Sequence, residues 1–122
     1  MNAHLEVITR ARRPDGLVAI NVLARILRIS KTELAAATGL STDAVWRASR
    51  ARSATTQKRM GELVRILERV APWTGHPRIA YAWYRSQQLP GFGSMTAEDL
   101  LKMNRSNAVD TYLDRIADGG FS

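Results

Sequence analysis

Apolar residues along this chain return every third or fourth position, the spacing of one helix face, and nowhere alternate as they do in a half-buried strand. Leu17, Ile20, Leu23, Ala24 and Leu27 form the first such stripe, with Arg25 and Arg28 turned away from it, which predicts a helix to about Ile29. Ser30 is a good N-cap and Glu33 stands three residues on, so a capping box opens a helix over 31–38 that Gly39 stops. Ser41 or Thr42 caps a further short helix to about Arg50, with Ala44, Val45 and Ala48 on its inner side. After a polar loop, Thr55 or Thr56 begins a longer helix in which Met60, Leu63, Leu67 and Val70 share a face, and Pro72 ends it.

Pro77 suits the first turn of another helix containing Ile79, Ala80, Trp83 and Tyr84, and Gly91 to Ser94 form a turn. Thr96 caps a helix over 97–103 whose Glu98 and Asp99 sit at the positive end of the dipole. Ser106 caps a last helix with Val109, Tyr112, Leu113 and Ile116 on one stripe, closed by Gly119 and Gly120. Ahead of all these, Leu5, Val7 and Ile8 make a short apolar patch, followed by three arginines and the turn Pro14-Asp15-Gly16, which reads as a mobile or loosely packed arm. The expectation is an all-α chain of about seven helices: an arm over 1–16, a helix-turn-helix bundle over 17–71, and a small helical domain over 72–122.

At 122 residues, 45% hydrophobic and 24% charged, the composition is that of an ordinary globular domain. No apolar run approaches the ~18–20 residues of a membrane span, and Arg10, Arg12 and Arg13 interrupt any secretory signal, so the expectation is a soluble cytoplasmic protein with no membrane partner. Without cysteine there is no disulfide or thiolate metal site, and His4 and His76 are the sole imidazoles, so neither metal nor cofactor is expected. Charge changes the picture more. Residues 1–60 hold 11 Lys and Arg against 4 Asp and Glu, a net +7, whereas residues 61–122 hold 7 of each. A basic half beside a neutral one suggests that the first meets a polyanion and the second something else, although a solvated Arg-rich surface fits the charge equally well.

Leu34, Ala35, Gly39, Leu40, Ser41, Val45 and Ala48 have the spacing of a helix-turn-helix: a small residue where the helices approach, glycine in the turn, apolar residues beneath both. In that geometry Ser41, Thr42, Asp43, Trp46, Arg47 and Arg50 face the DNA major groove. Arg47 and Arg50 are placed to read guanine or to touch phosphate. Asp43 accepts from cytosine or helps cap its helix. Trp46 packs on thymine and sugar or covers a neighbouring helix. Lys31, Arg52, Lys58 and Arg59 flank the motif as phosphate contacts or as solvated charge.

In the neutral half, Trp73, Tyr81, Trp83, Tyr84 and Phe92 cluster within twenty residues, as an aromatic core or as a partner interface. A helix-turn-helix followed by Ala82-Trp83-Tyr84, Leu89-Pro90-Gly91-Phe92-Gly93, Met95-Thr96-Ala97-Glu98-Asp99-Leu100-Leu101 and Val109-Asp110-Thr111-Tyr112-Leu113 resembles the MbcA/ParS/Xre antitoxins over roughly residues 17–121. The family usually carries Pro where this chain has Ala97, a second glycine where it has Ser94, and Gly near Asn104. The resemblance implies an antitoxin that neutralises a cognate RES-domain toxin, an enzyme that consumes NAD, and that represses its own operon. One short recognition helix gives little affinity alone, so a homodimer or a larger complex with toxin is the expected DNA-binding unit. It also implies a toxin-binding face drawn from Trp83, Tyr84, Phe92 and Met95 and from the C-terminal end, Arg115, Asp118, Gly119, Gly120 and Phe121. That end either frays or enters the toxin's NAD cleft.

Catalysis is not expected. Gly91 and Gly93 lack the third glycine of a dinucleotide fingerprint, there is no Walker lysine or HExxH, and no base stands near Ser94. The alternative function is a stand-alone helix-turn-helix transcription regulator whose second half dimerises or senses a ligand.

Overall fold

The structure, a computed structural model, describes residues 3–119, with side chains from residue 5. It is all-α. Among the described residues nine helices occur: α1 (Ala3–Thr9), α2 (Ile20–Leu27), α3 (Lys31–Thr38), α4 (Thr42–Trp46), α5 (Ala48–Ala51), α6 (Ala54–Thr74), α7 (Pro77–Ser86), α8 (Ala97–Lys102) and α9 (Ser106–Ala117). The two beyond the expected number are α1 and the separation of α5 from α4.

The long helix α6 is the mast of the fold. Its buried Met60, Leu63, Val64, Ile66, Leu67 and Val70 join Leu23 and Leu27 of α2, Leu34 of α3, Tyr84 of α7 and Leu100 and Leu101 of α8 in one hydrophobic cluster. The basic and neutral halves of the sequence therefore share a single core, and the boundary expected at 71/72 falls inside α6. Pro72 does not end this helix. It occupies the last turn, where it forfeits only the bond its N–H would give to the Glu68 carbonyl, and the chain closes three residues later on left-handed Gly75, whose N–H donates to Ala71. The helix begins at Ala54, one or two residues ahead of the expected Thr55 or Thr56, and is capped by Ser53, whose Oγ accepts from the Thr56 N–H.

The described part of the expected arm is not loose. Ile8 and Ala11 are fully buried in the core, and the Arg12 guanidinium forks onto Glu68 of α6 at 2.8 and 3.1 Å, joined by the Thr9 hydroxyl. Residues 11–19 then fold back as a small hairpin around Gly16: Arg13 N–H donates to Leu17, Ala19 N–H to Ala11, and the Gln57 amide brackets the Val18 backbone on both sides. Leu17 is consumed by this hairpin, which is why α2 starts at Ile20.

Further on, Thr96 and Asp99 form a reciprocal capping box at α8. Ser106 is the first residue of α9 instead of its cap, and its hydroxyl donates to Glu62 of α6. Arg69 of α6 reaches Asp114 at 2.8 Å and the Asp110 carbonyl at 3.3 Å, so α9 is held to the mast by charge as well as by Val109 and Leu113.

Candidate functional site

The strand of chain from α3 to α4 is a helix-turn-helix in outline. Ser30 caps α3, its Oγ accepting from Glu33 N–H at 3.0 Å, and Gly39 ends it in the left-handed region at φ 70°. A Cβ at Gly39 would sit 3.0 Å from both Arg59 and Lys102, so the turn is tight as well as left-handed. The last four carbonyls of α3 are all satisfied: Ala35 by Leu40 N–H, Ala36 by Gly39 N–H, Ala37 by the Tyr84 hydroxyl, and Thr38 by the Arg59 guanidinium. Ser41 then caps α4, accepting from Ala44 N–H, with Ala44 and Val45 buried beneath.

The second helix is shorter than its pattern predicts. Arg47 is extended, at φ −88° and ψ 123°, and divides the expected helix into α4 and the single turn α5. The three-residue relation between Val45 and Ala48 is therefore broken, and Ala48 is exposed instead of turned inward. Thr42, Asp43, Trp46, Arg47, Arg50 and Arg52 all lie exposed on this segment. Asp43 approaches Arg47 at 4.0 Å. Trp46 takes the second of its two expected roles in part: its indole N–H donates to Thr32 of α3 at 3.3 Å and Lys31 Nζ stands 4.3 Å from its ring centroid, while 59% of the residue remains exposed.

Two flanking cations are otherwise engaged. Lys58 pairs with Glu62 at 3.0 Å. Arg59 is a structural tie, since its guanidinium donates to the Thr38 carbonyl and to Asn104 Oδ1, both at 2.8 Å, and it is not free to meet phosphate. A groove of about 340 Å³ opens beside Trp46; Arg13, Lys31 and Arg52 line it above an apolar floor that includes Val22 and Val45, and no carboxylate lines it.

The expected toxin-binding residues divide. Tyr84 is fully buried and hydrogen-bonded to Ala37, so it is core and offers a partner no surface. Trp83, Phe92 and Met95 are half-buried and packed against the core. Arg115, Asp118 and Gly119 are exposed at the end of α9, while Gly120 and Phe121 lie outside the described residues. Large apolar residues stand out more at Trp73, Ile79 and Met103, each about half exposed. Trp73 lies in the last turn of α6, which the expected stop at Pro72 had placed in a loop.

A polar chain joins this half to the helix-turn-helix. The Tyr81 hydroxyl donates to Glu33 at 2.7 Å, Arg85 approaches the same carboxylate at 3.4 Å, and Arg85 forks onto buried Glu98, which Lys102 also meets. Glu33 thus spends its carboxylate on α7 and leaves the expected capping box half made. Its bonds to Glu98 hold the Arg85 proton more tightly than usual, and burial, then Glu33, raises the Tyr81 phenol well above its ordinary value.

Among the described residues no cluster of His, Asp or Glu is placed to hold a metal ion, and no helix is long and apolar enough to cross a membrane. Compared with known proteins, the chain matches no family model, no curated protein and no solved structure.

Proposed function

We propose that this chain is an antitoxin, acting by binding and without cofactor: it holds operator DNA through α3 and α4 and neutralises a cognate RES-domain, NAD-consuming toxin through its C-terminal part. The observation that carries the DNA reading is the outward row of Thr42, Trp46, Arg47, Arg50 and Arg52, which no other element covers, on a helix-turn-helix whose first helix is pinned at both ends. Cations so gathered repel one another unless a polyanion lies over them. The five residues of α4 offer a single copy little contact, so the working unit is a homodimer or a larger complex with toxin.

The toxin half rests on the resemblance, and two features of the backbone support it. Both glycines of the Pro-Gly-Phe-Gly turn occupy left-handed backbone, Gly91 at φ 86° and Gly93 at φ 66°, and Asn104, near which the family carries Gly, stands at φ 61°. Those motif positions are therefore demanded by the chain path. The partner face combines the half-buried Trp83, Phe92 and Met95 with the end of α9, and the tail from Arg115 onward blocks the toxin's NAD cleft.

The test is co-expression with the neighbouring gene product. Co-purification of the two, together with rescue of growth and retention of DNA upstream of the operon in a mobility-shift assay, supports the reading. DNA retention with no co-purifying partner leaves a stand-alone regulator, and failure of both overturns the proposal.

A further inference from the structure

The groove beside Trp46 is built from three segments far apart in sequence: the hairpin brings Arg13, the first turn of α3 brings Lys31, and the chain after α5 brings Arg52. Three cations from separate segments line one groove with no carboxylate among its lining residues, an arrangement that internal packing does not require. Arg13 is the informative member. Its backbone is fixed by the bond from its N–H to Leu17 at 2.8 Å, and the hairpin is locked to α6 through Gln57, which accepts from Val18 N–H at 2.7 Å. Its side chain has one ionic neighbour, Asp15 at 3.5 Å, and both groups are half exposed, so the guanidinium retains donors for another anion.

We infer that this groove seats DNA backbone flanking the bases read from α4, with Arg13 joining Lys31 and Arg52 on its phosphates and the open face of Trp46 against a sugar. The inference rests on the DNA-binding reading above and adds to the interface the hairpin of residues 11–19, which lies outside the helix-turn-helix. Linked phosphates suit the site better than one compact anion, because the cations come from separate walls of an open groove while its floor is apolar.

The full chain is titrated into a labelled mixed-sequence duplex about two helical turns long, over about 50–200 mM salt. Arg13→Gln is expected to weaken binding several-fold and to reduce the slope of log K against log salt by ~0.9, and Arg13→Lys to restore the slope. Arg78→Gln, which removes one charge outside the groove, is expected to leave the slope unchanged. An unaltered slope in Arg13→Gln, with wild type binding normally, overturns this inference and leaves the DNA-binding reading standing. No binding by wild type even at the lowest salt overturns both. Saturable tryptophan quenching by free dAMP that Arg13→Gln abolishes also overturns it, by making the groove a small-ligand site.

Discussion

The Tyr84 hydroxyl donates a 2.7 Å hydrogen bond to the Ala37 carbonyl, 47 residues away in sequence and at the closing turn of α3. One phenol thereby joins the aromatic helix of the neutral half to the first helix of the helix-turn-helix. Since the ring is fully buried, its oxygen has no water to fall back on. Tyr84→Phe would leave the carbonyl unsatisfied and is expected to cost ~1–3 kcal/mol by urea denaturation, with helix content unchanged. The same bond has a pH signature. Burial, and then Glu98, raises the Tyr84 phenol above its ordinary value, and burial does the same for Tyr81. Above pH ~10 the unfolded chain loses these protons while the folded chain keeps them, so stability is level below that point and falls as pH rises past it. Tyr84→Phe should remove its share of the alkaline limb and leave that of Tyr81; an unchanged limb would show that the Tyr84 phenol does not cause it.

Gly39 and Gly61 should respond to alanine with opposite signs. At Gly39 the left-handed φ strains any L side chain, and an added Cβ would stand 3.0 Å from the Arg59 and Lys102 side chains, which must give way, so a loss of ~1–2 kcal/mol is expected. At Gly61, inside α6 with nothing within 4 Å of an added Cβ, alanine should stabilise by ~0.5–1 kcal/mol. Paired thermal melts of the two variants check both signs at once.

Much of this was legible along the chain. Ser30 and Gly39 announced α3, Thr96 announced α8, and the period of three and four announced an all-helical fold. What local pattern could not supply was the distant partner that overrides it. Glu33 has the position of a capping residue but is claimed by Tyr81 and Arg85, and Leu17 continues the α2 stripe but is claimed by a hairpin. Val45 and Ala48 keep helical spacing across Arg47, whose extended backbone leaves no mark in the pattern. Tyr84 and Trp83 are equally aromatic, and only the packing of α7 on α3 and α6 makes the first of them core. The outward row from Thr42 to Arg52 was readable because exposure there follows the short cap-to-cap distances of α4.

On the proposed DNA-binding reading, replacing Arg47 and Arg50 together by alanine should relax sequence preference by about 10–100-fold while leaving the fold intact, since both side chains are exposed. A footprint unchanged in the double variant would remove them from base reading.

The shared core predicts the behaviour of fragments. Residues 72–122 alone lack the α6 and α3 surfaces against which Tyr84, Leu100 and Leu101 are buried, and they should show no cooperative unfolding by circular dichroism. On the proposed reading, toxin capture therefore needs the full chain. A sharp melt from the fragment would contradict this.

Deleting residues 118–122 removes no core side chain among those described and should leave melting and complex formation nearly unchanged. On the proposed mechanism it restores NAD consumption by the bound toxin. Full inhibition by an intact truncated complex would eliminate the tail as the plug.

The break at Arg47 also limits how much address one molecule can carry. Five residues of α4 rise ~7.5 Å along their axis, the span of about two base pairs. Choosing one locus among 10⁶ or more competing sites takes about ten specified pairs. On the proposed DNA-binding reading a single copy falls well short, so an operator would be spelled as several short words, each read by its own copy, with the spacing between words carrying as much of the message as the letters within them.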